Sequence, residues 1–270
     1  MDKKEYLIIK NLTCGYMGGF KLEPVNLVLK RGCFAGVIGC NGSGKSTLFK
    51  GLSGELNLSG GEILLDGISL SKLSLKERAR RVALVPQFIE KSPITVEEYV
   101  LMGRMPYQRL FQYSESKEDI EITKESLEQT GIFHLRKKRV TEISGGEQQM
   151  TAIACALNQK PGLMLLDEPT SHLDIKFQSK IMNLLQRLNE EERLTVIMII
   201  HDLNLAGEYC DHLSLIKEGK IIIQGSPEEV LTYTNIELAY SSVVVESRNP
   251  VSGKPAIFQV SEKFSGRGIS

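Results

Sequence analysis

The apolar positions of this chain fall mostly into short runs separated by helical patterns. Two runs are continuous, Leu163–Leu166 and Val196–Ile200, which is typical of parallel strands covered on both faces. Strand-like segments rich in β-branched residues alternate with helical patterns, and this alternation predicts an α/β sandwich. The predicted strands are Tyr6–Leu12, Val25–Leu29, Phe34–Ile38, Glu62–Asp66, Val82–Pro86, Leu163–Asp167, Thr195–Ile200, His212–Ile216 and Lys220–Gln224.

The beginning and the middle of the chain follow different patterns. Gly-containing turns such as Met17-Gly18-Gly19 separate the early strands, which favours antiparallel pairing there. From about Ser92 to Lys160 the pattern is helical and lacks a convincing strand, and it starts at a capping box formed by Thr95 and Glu98. We therefore expect an α-helical subdomain inserted into the α/β core.

Two later segments predict helices, and the end of the chain predicts less order. Ile175–Glu192 carries apolar residues at helical spacing on one face. Ser226 opens another helix as its N-cap, with Pro227 at the first position and acidic residues in the first turn. Residues 241–270 predict a weakly structured tail with some strand.

These patterns together predict a single domain spanning residues 1–270. Its α/β core is expected to comprise residues 1–91 and 161–240. The helical subdomain is expected to comprise residues 92–160, and the tail follows from residue 241.

Composition narrows the function classes without identifying one. The 270 residues carry 33 Lys and Arg against 33 Asp and Glu, so no excess positive charge attracts nucleic acid or an anionic membrane surface. No apolar run approaches the ~20 residues of a membrane-spanning helix, and the N-terminus lacks the pattern of a signal peptide. The five cysteines form no CxxC pair, which favours reduced thiols in a cytoplasmic protein.

A glycine-rich segment matches the phosphate-binding pattern G-x-x-x-x-G-K-[ST]. It follows the predicted strand Phe34–Ile38 and precedes a helical pattern, which is the context that this motif requires. Glycines let successive backbone N–H groups surround a polyphosphate, and the following helix contributes its positive N-terminus. Lys45 is expected to reach the β- and γ-phosphates, and the Ser46 hydroxyl is expected to bind Mg²⁺. The segment comprises Gly39, Cys40, Asn41, Gly42, Ser43, Gly44, Lys45, Ser46 and Thr47.

Two carboxylates end the apolar strand Leu163–Leu166. In a P-loop protein, Mg²⁺ and the hydrolytic water are handled at this position. Asp167 is predicted to bind the metal through its water shell, and Glu168 to orient the attacking water or accept its proton. Taken alone, the pattern would also suit a strand that simply ends in acidic residues before Pro169.

The segment ISGGEQQ has two interpretations. Ser144 and Glu147 have the spacing of a capping box that opens a helix. However, Gly145 and Gly146 are costly in a first turn that needs only capping, whereas they let backbone N–H groups approach a phosphate closely. The segment resembles the LSGGQ signature of ABC transporter ATP-binding subunits, with Ile143 in place of Leu and Glu147 in place of Gln.

The resemblance to ABC transporter ATP-binding subunits covers essentially the whole chain and implies roles for further residues. Tyr16 matches the aromatic residue that stacks on adenine, and Gln87 matches the glutamine that senses Mg²⁺ and the γ-phosphate. His201 matches the histidine that hydrogen-bonds the γ-phosphate. Residues 171–174 read SHLD, with His where Ala is usual, and match the loop that contacts a second subunit and ends at Asp174.

The same resemblance implies the fold and the chemistry. The expected fold is an α/β P-loop NTPase (RecA-like) core with an antiparallel β subdomain and the inserted α-helical subdomain. The expected cofactors are ATP and Mg²⁺, with Ser46, Gln87 and Asp167 at the metal. Glu168, His201 and Gln87 are then the catalytic residues.

The resemblance also implies partners and a location. In this family the P-loop of one subunit faces the signature segment of another, here Ser144–Gly146, so an ATP-dependent homodimer is expected. Transmembrane permease subunits and, indirectly, an extracytoplasmic substrate-binding protein complete the implied assembly, and nucleic acid is not a partner. The implied location is the cytoplasmic face of the bacterial cell membrane, where the chain is peripheral.

Three further segments resemble importers of iron-siderophore, haem and cobalamin. They are residues 101–106 (LMGRMP), residues 201–206 (HDLNLA) and the tail from Leu238 to Pro255. The sequence therefore favours a metal-chelate importer, with another small cargo such as molybdate as the alternative.

Three other function classes explain fewer of the motifs. Soluble ABC-type ATPases of DNA repair carry a long coiled-coil insertion and those of translation carry two cassettes, and neither feature is present. A P-loop small-molecule kinase leaves Ser144–Gly146 and His201 without a role. A nucleotide-gated binding module with no turnover does not account for the carboxylate of Glu168.

Overall fold

The computed structural model of this chain describes residues 5–16, 18–89, 92–108, 115–261 and 263. The predicted turn residue Met17, residues 109–114 and almost all of the last nine residues lie outside this part of the chain. By contacts the chain divides into two units, the first comprising residues 1–67 and 197–270 and the second comprising residues 68–196. This division differs from the predicted domain boundaries, which remain a prediction.

Every predicted strand is present, with small differences at the strand ends. Two strands in the tail and one two-residue strand were not predicted individually. The strands are β1 Glu5–Cys14, β2 Val25–Lys30, β3 Phe34–Ile38, β4 Leu58–Leu65, β5 Ile68–Ser69, β6 Val82–Val85, β7 Leu163–Asp167, β8 Thr195–Ile199, β9 His212–Lys217, β10 Lys220–Gly225, β11 Val244–Arg248 and β12 Pro255–Gln259.

The long predicted helix Ile175–Glu192 has the predicted bounds, whereas the short helix Leu75–Ala79 was not predicted. Within the described residues, no helix has the length and apolar character needed to cross a bilayer. The α-helices are α1 Lys45–Ser53, α2 Leu75–Ala79, α3 Val96–Leu101, α4 Lys117–Gln129, α5 Gly145–Asn158, α6 Ile175–Glu192, α7 Leu203–Tyr209, α8 Pro227–Val230 and α9 Tyr233–Tyr240.

The first unit contains an antiparallel sheet and a mixed group of strands. β1 pairs antiparallel with both β2 and β4, as the Gly-containing turns predicted. β3 pairs parallel with β9, β9 pairs antiparallel with β10, and β8 lies next to β3. β3 and β8 are buried along their whole length, as expected for strands covered on both faces.

The second unit combines a parallel strand pair with helices. β6 and β7 pair in parallel with Val82 opposite Leu163, and α5 packs against β6. Helices α3, α4 and α5 contact one another. The predicted capping box is present, because the Thr95 hydroxyl accepts a hydrogen bond from the Glu98 N–H and the Glu98 carboxylate accepts one from the Thr95 N–H.

The LMGRMP segment, which pointed to metal-chelate importers, begins a 3-10 helix that is anchored in the second unit. The Arg104 guanidinium, 5% exposed, donates from Nε to Asp119 at 2.8 Å and from its terminal nitrogen to the Asn158 carbonyl at 2.9 Å. It also lies over the Tyr107 ring at 3.8 Å. A buried charge requires such partners, so Arg104 serves the packing of the helical region.

The strand predicted within the tail is present as a hairpin. β11 and β12 form an antiparallel hairpin with Val244 opposite Gln259 and Arg248 opposite Pro255. β12 packs on α7 and β11 packs on α9. The strand predicted within the tail is therefore confirmed, and its two strands are held by contacts with distant segments.

Candidate functional site

The predicted phosphate-binding segment connects β3 to α1 in the first unit. Gly39, Gly42 and Gly44 adopt φ values of 148°, 76° and 108°, a region that residues with a Cβ rarely enter. Asn41, Gly42 and Ser46 are exposed, whereas Lys45 and Thr47 are buried. The glycines of the motif therefore stand at positions where the backbone of the loop requires a positive φ.

Lys45 connects the two ends of this loop. Its side chain is 5% exposed, and Nζ donates to the Gly39 carbonyl at 2.8 Å and to the Cys40 carbonyl at 2.9 Å. The Oγ of Ser43 is also buried, and it has no hydrogen-bond partner among the described residues. A buried hydroxyl without a partner is rare, so its presence in the same loop as this ammonium suits a loop that binds an anion.

The N-terminus of α1 is open to the same anion. Its N-cap is Gly44, which offers no side chain to the first backbone N–H groups, and the first turn contains no acidic residue. Uncapped N–H groups and the helix dipole together attract phosphate. The segment therefore fits a polyphosphate by its backbone, its ammonium and its helix.

Tyr16 lies in the same unit at an exposed turn. The ring is 47% exposed, and Lys50 of α1 donates to its hydroxyl at 3.3 Å and lies 5.9 Å from the ring centroid. Tyr16 is thus tied to the helix that follows the loop while one face stays accessible, which is compatible with stacking on a base.

His201 follows the end of β8 and is exposed. The preceding Ile200 donates its N–H to the carbonyl of Val37 at 3.2 Å, so this strand end is fixed against β3. β3 leads directly into Gly39. Within the first unit, His201 therefore lies at the same end of the strands as the start of the phosphate-binding loop.

In the second unit, the carboxylate of Glu168 forms the centre of a polar cluster. Its Oε2 accepts a hydrogen bond from Gln87 Nε2 at 2.8 Å and another from Ser171 Oγ at 3.0 Å. The two donors hold in place a carboxylate group, which is a group that can orient water or accept its proton. The two residues assigned to catalysis in this unit, Glu168 and Gln87, are therefore in direct contact.

The backbone of Glu168 is strained. Its φ is 49°, in the left-handed region that non-glycine residues seldom occupy, and Pro169 follows. Such strain is found mainly where the surrounding structure holds a functional side chain in place. The hydrogen bonds from Gln87 and Ser171 supply that restraint on this side chain.

The residues assigned to Mg²⁺ offer the atoms that this ion prefers. Asp167 ends β7 with a partly exposed carboxylate, and Ser46 exposes its hydroxyl in the first turn of α1. Gln87 uses its amide nitrogen on Glu168, which leaves its oxygen as the ligand atom. Mg²⁺ takes oxygen ligands and needs only one or two carboxylates when phosphates supply the rest, so each of these donors, taken within its own unit, offers an atom that suits the ion.

The signature segment forms the capping box that its spacing predicts. The Ser144 N–H and hydroxyl both donate to Glu147 Oε2 at 2.8 Å, and the Glu147 N–H donates to Ser144 Oγ at 3.4 Å. The hydrogen bond from the Ser144 backbone is the main cause that lowers the pKa of Glu147. Ser144 is exposed, so its hydroxyl caps the helix and also faces solvent.

The two glycines of this segment have different surroundings. Gly145 is exposed, and a Cβ there would meet nothing within 4 Å. Gly146 is buried, and a Cβ there would overlap the ring of Phe177 on α6. Gly145 therefore leaves its backbone N–H accessible, whereas Gly146 is needed for packing. The phosphate contact predicted for Gly146 stays a prediction, since packing also explains this glycine.

Replacing Gly146 by Ala is expected to lower the free energy of unfolding by about 1–3 kcal/mol, because the added methyl forces the Phe177 ring to move. The matched variant Gly145→Ala, next along the chain and open to solvent, is expected to keep wild-type stability. Urea unfolding of both variants measures the difference. Equal stabilities would show that Phe177 does not restrict this position.

The loop at residues 171–174 is held at both ends. Asp174 caps α6 by accepting a hydrogen bond from the Phe177 N–H at 2.9 Å. His172 has a φ of 61°, and its ring stacks on the exposed ring of Phe88 with centroids 6.0 Å apart. The contact assigned to Asp174 at the nucleotide stays a prediction, because the structure gives this side chain a capping role.

Two residues that contact the site were not assigned a role from the sequence. Ser171 was recognised only as part of a loop, although its position three residues after Glu168 places its hydroxyl on that carboxylate. Phe177 carries no local signal, because its contact with Gly146 joins segments that are distant in the sequence.

Comparison with known proteins gives concordant matches. Residues 22–171 match the sequence profile of the ABC transporter family. The ferric enterobactin transport ATP-binding protein FepC of Escherichia coli K12 is 40% identical over 249 residues, which cover 92% of this chain and 92% of that protein.

Two solved structures show the same fold. One is described as a metal-chelate type ABC transporter in an inward-facing conformation; it has a TM-score of 0.85, 26% identity, and covers 97% of this chain and 100% of that one. The other is a dimeric ATP-binding cassette bound to ADP and phosphate, with a TM-score of 0.72, 31% identity, and coverage of 82% and 98%.

Proposed function

This chain belongs to the ABC transporter family as an ATP-binding subunit, and on that basis we propose that it energises a bacterial importer of metal chelates. The chain is an ATP hydrolase coupled to transport. The main support for an ATP site is the loop between β3 and α1. It combines the buried Lys45 ammonium, the unpartnered Ser43 hydroxyl and an uncapped helix N-terminus.

We assign the steps of hydrolysis to residues of this chain by their chemistry. Lys45 and the backbone N–H groups of the loop neutralise charge that develops on the phosphates. Glu168 orients the attacking water and accepts its proton, while Gln87 and Ser171 hold the carboxylate in place. His201 donates a hydrogen bond to the γ-phosphate. Tyr16 stacks on the adenine.

Mg²⁺ belongs to this proposal as the ion that accompanies ATP. Ser46, Asp167 and Gln87 are the residues assigned to it, and their oxygen atoms suit its preferences. The ion supplies charge neutralisation at the phosphates. These three side chains orient the ion and do not themselves react.

We further propose three kinds of partner. A second copy is supported by the dimeric cassette bound to ADP and phosphate, and there Ser144 and Gly145 of one subunit would face the nucleotide on the other.

Permease subunits follow from the importer class. Phe88, Met102 and Met105 are 66%, 43% and 58% exposed, and such apolar side chains suit a protein contact. An extracytoplasmic substrate-binding protein completes the importer. Attached to a permease, the chain would be peripheral at the cytoplasmic face of the membrane.

The proposed cargo class is an iron-siderophore, haem or cobalamin. The ferric enterobactin relative and the metal-chelate type structure support this class. The cargo itself does not contact an ATP-binding subunit, so a side chain of this protein does not select it.

Uptake measurements in cells test the cargo class. Cells that lack this chain are expected to lose uptake of one labelled metal chelate, and the wild-type gene is expected to restore it while a Glu168→Gln gene does not. Uptake of ferric siderophore, haem, cobalamin and molybdate is compared in the same cells. Loss of molybdate uptake alone would replace the proposed class by the alternative, and no loss of any uptake would contradict import.

A further inference from the structure

The C-terminal hairpin, defined here as β11 and β12, packs against α7, the helix that begins two residues after His201. The hairpin contains none of the residues assigned to ATP. It nevertheless contacts the element that continues directly from a catalytic residue, which suggests a role beyond stability.

The register of the hairpin turns the backbone of Ile257 outward. The Val260 N–H donates to the Val243 carbonyl at 3.2 Å, which marks that pair as hydrogen-bonded. Hydrogen-bonded and non-hydrogen-bonded pairs alternate along antiparallel strands. Ile257 lies opposite Glu246, three positions along, and so belongs to a non-hydrogen-bonded pair. Its N–H and carbonyl therefore point to the outer edge of β12.

Asn204 of α7 pairs with both of these backbone groups. Its Oδ1 accepts a hydrogen bond from the Ile257 N–H at 2.8 Å, and its Nδ2 donates to the Ile257 carbonyl at 3.3 Å. A carboxamide carries a donor and an acceptor side by side, so it can replace a neighbouring strand at this edge. Asp would keep only the acceptor, and Ala would keep neither.

A second attachment lies one helical turn further along α7. The Glu208 carboxylate accepts hydrogen bonds from Asn249 Nδ2 at 3.1 Å and from Ser252 Oγ at 2.7 Å. Between the two attachments Gly207 is buried, and a Cβ there would overlap the backbone of Pro255. The hairpin thus fixes the direction of α7 along one face of the helix.

The other end of this segment is also fixed. The Ile200 N–H donates to the Val37 carbonyl at 3.2 Å, and Asp202 caps the first turn of α7 by accepting from the Asn204 N–H at 2.8 Å. His201 lies between the end of β8 and the start of α7. The position of His201 therefore depends on the end of β8, held by Val37, and on the start of α7, held by the hairpin.

We infer that Asn204 is a positioning residue for His201, which it holds in place by fastening α7 to the edge of the C-terminal hairpin. The inference rests on the catalytic role given to His201 in the proposed function. Asn204 acts through backbone geometry, so its loss displaces the histidine without removing any group that binds ATP.

Steady-state ATPase measurements on the full chain test this role. Asn204→Ala is expected to lower kcat about tenfold, since small displacements of a reacting group reduce rates strongly. The KM for ATP is expected to change less than about twofold, because the phosphate-binding loop is intact. Asn204→Asp is expected to give an intermediate kcat. The matched control Asn26→Ala removes another amide, which pairs with Asn11 in the same unit, and is expected to keep wild-type kcat.

A double variant separates this proposal from the proposed function. In a His201→Ala background, Asn204→Ala is expected to cause no further loss, because both changes act through one group. A further tenfold loss there, or wild-type kcat in Asn204→Ala, would overturn the positioning role. Full activity of His201→Ala would instead overturn the role of the histidine. If Asn204→Ala melts below the assay temperature, Asn204→Asp replaces it both as the single variant and in the double variant with His201→Ala.

Discussion

Glu168→Gln is expected to lower kcat for ATP hydrolysis about 10²–10³-fold while ATP binding persists, because the amide cannot accept a proton from water. Its carbonyl can still accept the hydrogen bonds from Gln87 and Ser171, which lie at 2.8 and 3.0 Å from Oε2 in the wild type. The change therefore removes the base and keeps the cluster.

The same variant is expected to accumulate as a dimer in ATP. If two nucleotides are held between two copies, slow hydrolysis prolongs the state in which both copies are joined. Light scattering with and without ATP measures the mass, and phosphate release measures kcat. Glu191→Gln, at an exposed position on α6, is the control and is expected to behave as wild type.

A Glu168→Gln protein that stays monomeric in saturating ATP would contradict the composite site. A variant with wild-type kcat would show that hydrolysis does not use this carboxylate. A thermal melt distinguishes both results from a folding defect, since the variant is expected to keep the wild-type Tm.

Lys45→Ala is expected to weaken ATP binding about 100-fold. A hydrogen bond to a charged group contributes roughly 1.5–3 kcal/mol, and a tenfold change in affinity corresponds to about 1.4 kcal/mol. The ammonium also holds the loop together through the Gly39 and Cys40 carbonyls, so its loss both removes a positive charge and loosens the backbone.

Equilibrium titration with a fluorescent ATP analogue measures this affinity. Lys30→Ala is the control, because it removes an exposed lysine at the end of β2 and leaves the loop unchanged. Equal affinities of Lys45→Ala and wild type would refute the assignment of this loop to phosphate. Hydrogen exchange of the loop amides reports separately on the loosening of the backbone.

Much of the fold and the family could be predicted from local patterns. The predicted strands are present, and the antiparallel pairing of the first strands and the capping boxes at Thr95 and Ser144 are confirmed. The match to the ABC transporter family and the metal-chelate class is confirmed by the relatives. Such features depend on residues close together in the sequence, or on motifs whose spacing is itself the signal.

Other features depend on contacts between distant segments. Some strand was predicted in the tail, but the pattern there gives no sign that Asn204, some fifty residues earlier, holds β12. Gly146 was assigned to phosphate alone, whereas Phe177 also requires a glycine there.

The class of this protein follows from its motifs alone, because glycines, a lysine and paired carboxylates at set spacings are chemical requirements for handling a nucleotide. The folded chain shows in addition which of those side chains are restrained, and which neighbours restrain them. Glu168 is held by two hydrogen bonds on a strained backbone, and α7 is fastened to the C-terminal hairpin. A motif specifies its own atoms, whereas restraint comes from neighbours that only folding brings close.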